Sequence, residues 1–107
     1  MTRVVFFRGG LQPKGFYMTG HCTSGPQDDT GRLCCAAVSS AAYMAANTIT
    51  EIEHVSADIS VNEGEMRFIL TGQCTEGCRA VLEGFELHIT ELAKQYDGHL
   101  TIKTEAI

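Results

Sequence analysis

At 107 residues with 44% hydrophobic side chains, the chain has the length of a single domain, residues 1–107, and a composition that excludes disorder. Its 13 acidic and 8 basic residues give a net charge of -5 with no lysine or arginine cluster. That argues against direct nucleic-acid binding and is compatible with a basic protein or peptide partner. A core of this size gains from a partner subunit.

In chain order, residues 4–7 form a short β-prone run stopped by Gly9-Gly10. Pro13 and Gly15 mark a turn region and residues 16–19 resume the strand pattern, which predicts a hairpin with a loop longer than two residues. A polar loop with Gly25-Pro26, Asp28-Asp29 and Gly31 follows. From Leu33 the composition turns alanine-rich, with no break before about Ile52, and predicts a helix. Residues 33–50 carry no charge, so this helix is expected to pack on more than one side. Ser39, Ser40, Asn47 and Thr48 interrupt the apolar run, which reads as a buried helix and not a membrane span.

Val55, Ala57, Ile59 and Val61 alternate with polar residues, the period of a half-buried strand. Asn62-Glu63-Gly64 supplies a turn, and Met66, Phe68 and Leu70 complete a second hairpin. Cys78, Leu82, Phe85, Ile89, Leu92 and Tyr96 then recur at helical spacing. Gly84 costs this helix about 1 kcal/mol, which close approach to the alanine surface of the first helix would offset. Asp97-Gly98 ends it, and residues 100–104 read as a last strand. The order β-β-α-β-β-α-β predicts an α+β fold in two layers, a mixed sheet with both helices on one face.

Five cysteines cannot all pair, and the apolar run in MTRVVFFRGG is too short for a secretion signal, so a reducing, cytoplasmic compartment is expected. Cysteine and histidine concentrate in GHCTSGPQDDTGRLCCAAVS, and three readings stand open. Cys35, placed in the first turn of the first helix, would have unpaired N–H groups favouring thiolate and an oxyanion. His21 would fold back on it as proton acceptor and donor. Alternatively, His21, Cys22, Cys34, Cys35, Cys74 and Cys78 include metal ligands, although adjacent Cys34 and Cys35 diverge by roughly 100° on a helix. Or the cysteines are small core residues, the better reading for Cys34 and Cys78. Ser39, one turn beyond Cys35, would hydrogen-bond near the site or satisfy its own helix.

Gly20-His21, a glycine-containing loop, and then Cys35-Ala36-Ala37-Val38-Ser39 closely resemble the signature of the bacterial ribosomal-processing cysteine proteases. The resemblance implies an endopeptidase, typically homodimeric, that removes the N-terminal extension of ribosomal protein L27 after an aromatic residue. It assigns Cys35 as nucleophile and His21 as general acid/base, with no metal or organic cofactor. The family has an aspartate three residues before its nucleophile, where this chain has Arg32. Asp28 or Asp29 would then supply an orienting carboxylate, or Arg32 would alter specificity or weaken catalysis and leave a dimeric ribosome-associated binding protein.

Overall fold

The computed structural model describes residues 1–20 and 29–107. Strands β1 (Thr2–Gly9), β2 (Gln12–Gly20), β3 (Ala57–Asn62), β4 (Glu65–Leu70) and β5 (Leu100–Ala106) form one sheet in the order β3-β4-β2-β1-β5. β5 runs parallel to β1 and the other pairs are antiparallel, so the sheet is mixed. Helices α1 (Asp29–Asn47) and α2 (Glu76–Gln95) bury their apolar residues against one face of it, giving the expected α+β fold.

The core follows from strand alternation. Val4, Phe6, Phe16, Met18, Met66, Phe68 and Leu70 all project beneath the helices and are buried. Phe16 stacks on Phe68 with ring centres 5.3 Å apart, and Phe85 of α2 meets Phe16 at 4.6 Å and Phe6 at 5.7 Å. Phe85 thereby fixes α2 over β1 and β2, while Arg8 reaches from β1 to Glu83 and Glu86 on the same helix.

Several elements depart from the sequence reading. The first hairpin is tight: Gly9 pairs with Gln12 across a two-residue turn, and Gly10 has φ +63°. The residues that suggested a longer loop are taken up inside β2, where Phe7 faces Gly15 and Arg8 faces Pro13, leaving Lys14 as a bulge. α1 begins at Asp29, four residues ahead of Leu33, with Asp29 and Arg32 paired across its first turn at 2.9 Å.

At its far end α1 continues into a π-helical turn, Thr48–Ile52. There Thr48 Oγ1 donates to the Met44 carbonyl at 2.7 Å and Thr50 Oγ1 to the Ala46 carbonyl at 3.0 Å, back-bonds that loosen the ordinary ladder. The run Asp29–Ile52 is long and apolar enough by composition alone to cross a membrane. Here it is the core helix, with Cys34, Val38, Ala42, Ala45, Ala46 and Ile49 buried. Within the chain α1 is covered on one side; Leu33, Tyr43 and Met44 remain exposed. An added Cβ at Gly84 would meet nothing within 4 Å, so this glycine does not serve close helix packing.

β3 is the other exception. Its alternation is real, but Ile59 and Val61 are 47% and 50% exposed, because β3 is an edge strand beyond the cover of the helices.

Candidate active site

β2 ends at Gly20, whose N–H donates to the Gly64 carbonyl at 2.9 Å and ties the strand end to the β3–β4 turn. Gly20 has φ +90°, and an added Cβ would collide with the Met1 carbonyl oxygen. The position therefore requires glycine on both conformational and steric grounds. His21 is the next residue. His21, Cys22 and Asp28 lie outside the described residues.

Cys35 sits in the second turn of α1, not the first, because the helix starts four residues early. The unpaired N–H groups of a helix belong to its first four residues, and the dipole effect fades within the first turn. The helix end therefore does not supply the direct oxyanion donors expected from the sequence. Cys34, one residue earlier, turns into the core and is fully buried, sharing that side with Val38 and Ala45. Cys35 is half-buried beside them.

Cys35 opens onto a cavity of about 230 Å³ whose walls include Met18, Gly20, Ser39, Tyr43, Val61 and Asn62. The cavity lies where the end of β2, the flank of α1 and the β3–β4 turn converge. It places Cys35 and Ser39 against the strand end at Gly20, the residue that precedes His21 in sequence. The walls beside the thiol are mostly apolar, with room on the scale of one side chain and not of a large cofactor. Arg32 and Asp29, both exposed, are joined to each other on the first turn of α1.

The remaining described thiols form a different environment. Thr75 caps α2: its hydroxyl accepts from the Cys78 N–H at 3.1 Å and donates to Glu53 at 2.8 Å. Cys78 is fully buried, and burial, followed by the neighbouring Cys74, pushes its thiol up to about 12. Such a thiol stays protonated and serves as a core side chain. Among the described residues, no three histidine, cysteine or acidic side chains come together in a way that would hold a metal ion.

Sequence reasoning singled out Cys35 and Ser39 but missed Met18, Tyr43, Val61 and Asn62. The signal for Tyr43 was present: it stands two turns beyond Cys35 on α1. Val61 and Asn62 required the strand order, which pairs β4, and not β3, with β2 and brings the β3–β4 turn beside the end of β2.

The sequence model of the cysteine protease Prp family matches residues 1–101. The chain belongs to that family. Its fold is that of the essential ribosomal processing protease Prp of S. aureus, solved with a covalently linked product peptide: the TM-score is 0.86 at 15% identity, covering 98% of this chain and 100% of that one. The same protease with a substrate peptide gives a TM-score of 0.86 at 14% identity over the same shares. The protein SMU.848 of Streptococcus mutans is similar at TM-score 0.86 and 24% identity, covering 100% of this chain and 99% of that one. No match emerges among curated protein sequences. Membership makes the chain a cysteine protease by family, and its substrate is a separate question.

Proposed function

We propose that this Prp-family chain is a cytoplasmic endopeptidase that removes the N-terminal extension of ribosomal protein L27, with Cys35 as nucleophile and His21 as general acid/base. The observation that carries the assignment is the cavity: its wall contains Cys35, and it also contains Gly20, the residue immediately before His21. The peptide complexes of the S. aureus protease support a peptide substrate.

In this mechanism His21 takes the thiol proton and the Cys35 sulfur attacks the scissile carbonyl carbon. The tetrahedral oxyanion takes hydrogen bonds from donors on the cavity wall, which includes the Ser39 hydroxyl one turn beyond Cys35. The C–N bond then breaks as the His21 imidazolium gives its proton to the departing amine. Water, deprotonated by His21, hydrolyses the thioester and restores the thiol. Every proton is returned, and the cycle uses no metal or organic cofactor. The exposed, uncharged side of α1, with Leu33, Tyr43 and Met44, supports a homodimer.

The test is incubation of the protein with a host L27 leader peptide containing an aromatic residue, with cleavage read by mass spectrometry. The parent and the Cys34→Ala protein are expected to cut it and the folded Cys35→Ala and His21→Ala proteins to leave it intact. Full turnover by Cys35→Ala would end the assignment. A parent that binds the peptide without cutting it would favour a binding module weakened by Arg32.

A further inference from the structure

The two edges of the sheet differ in the way edges are normally protected. β5 carries Lys103 and Glu105, paired at 3.1 Å, on its outer face. β3 carries a single charge, Asp58, with no lysine, arginine or proline, and its pairing with β4 runs without a bulge. Edge strands usually bear such features because an unguarded edge recruits another strand.

The hydrogen-bond register shows which backbone groups β3 offers. The Thr71 N–H donates to the Ser56 carbonyl at 2.9 Å, and the antiparallel register continues through Asp58–Ile69, Ser60–Arg67 and Asn62–Glu65. Residues of an antiparallel strand alternate between bonding to the neighbour and facing away. Residues 58, 60 and 62 therefore bond to β4, while Ala57, Ile59 and Val61 direct their N–H and C=O groups off the sheet. The same Ile59 and Val61 expose apolar side chains on the helix-bearing face. Val61 and Asn62 then enter the wall of the Cys35 cavity, with Tyr43 across from them. The ladder of backbone groups thus ends at Val61, in the wall of the cavity onto which Cys35 opens.

We infer that β3 is the docking edge for the substrate. An extended polypeptide segment adds to the sheet beside β3, exchanges backbone hydrogen bonds with Ile59 and Val61, and delivers its scissile bond to Cys35. This rests on the protease reading and deepens it: the substrate is an unfolded, extended segment with apolar side chains at alternate positions, not a helix or a folded surface. Side chains of one parity pack on Ile59 and Val61; those of the other parity point to the opposite face of the sheet.

The test uses a host L27 leader peptide and amide hydrogen exchange on the Cys35→Ala protein. Bound peptide should slow exchange at the Ile59 and Val61 amides, leaving Asp58 and Ser60, already bonded to β4, unchanged. With the parent enzyme, N-methylation along the peptide should raise KM roughly 2- to 10-fold at alternate residues only, the effect of one lost hydrogen bond. Val61→Pro removes an N–H that faces away from β4 and should raise KM by a similar factor. Cleavage with unaltered Ile59 and Val61 exchange overturns the inference alone. Protection that needs no peptide and grows with protein concentration also overturns it, assigning the edge to a second copy. A peptide neither bound nor cut overturns the protease reading and this inference together.

Discussion

Gly20→Ala is expected to damage the site more than the fold. At φ +90° a side chain at this position is strained by about 1–3 kcal/mol. The new Cβ also collides with the Met1 carbonyl oxygen, so the end of β2 must move relative to β1. His21, the proposed general acid/base, is the next residue in sequence, and a displacement of about 1 Å at a catalytic group costs on the order of 100-fold in rate. Gly10→Ala is the matched control: its φ is +63°, yet an added Cβ meets nothing within 4 Å. At about 4–8 °C of Tm per kcal/mol for a domain of this size class, both variants should melt several degrees below the parent. Only Gly20→Ala should also lose about 100-fold in kcat/KM on the leader peptide. Equal activity in the two variants, measured at a temperature where both are folded, would refute the argument that Gly20 positions His21.

Other outcomes follow from single contacts. Asp29 is held by Arg32 at 2.9 Å, so Asp29→Asn should leave the histidine limb of the kcat/KM–pH profile in place; a shifted limb would put Asp29 at the imidazole. The Cys78 thiol titrates near 12 when folded and near 8.5 when unfolded, so the folded state holds the extra proton between those values. Its contribution to stability is therefore complete below about pH 8.5 and lost as pH rises, by at most about 1.4 kcal/mol per pH unit. Urea melts of the parent and Cys78→Ala should show this alkaline slope weakened in the variant, and identical slopes would contradict it. Gly84→Ala, facing open space on α2, should gain about 1 kcal/mol and several degrees of Tm at dilution that keeps the chain monomeric. A loss there would place an unseen contact in the cleft between the helices.

The element order was legible because each element declares its own period: alternation in residues 55–61 and 66–70, and the three-to-four spacing from Cys78 to Tyr96. That Cys34 turns into the core while Cys35 does not was legible because adjacent residues diverge by roughly 100° on a helix. What escaped depended on competition between local and non-local terms. Pro13 and Gly15 read as turn residues, yet β2 pairs with β1 on one side and β4 on the other, and those two ladders hold the segment extended with one bulge. Asp29, Thr30 and Gly31 read as loop, yet the helix runs through them, with Gly31 buried and Asp29 paired with Arg32 on the surface. Ile59 and Val61 read as half-buried because periodicity reports which face a residue takes, not whether a helix lies over that face.

The early start of α1 changes what must activate Cys35. Placed in the second turn, its thiol lies beyond the reach of the unpaired N–H groups at the helix end, where the macrodipole acts most strongly. The nearest cation on the helix is Arg32, three residues back, an exposed side chain paired with Asp29 at 2.9 Å. Under the proposed mechanism, nucleophilic reactivity at neutral pH is expected to depend chiefly on His21, since an unassisted thiol is mostly protonated there. Alkylation of Cys35 by iodoacetamide, followed by peptide mass mapping, isolates this dependence from substrate binding. In the parent, reactivity at Cys35 should persist down to the range where histidine changes charge, roughly pH 5–8. In His21→Ala it should fall at least several-fold at pH 7 and recover only as the solution becomes alkaline. His21→Ala protein that alkylates at pH 6 as fast as the parent would show that the helix or Arg32 activates the sulfur, and that the histidine acts only on the leaving amine.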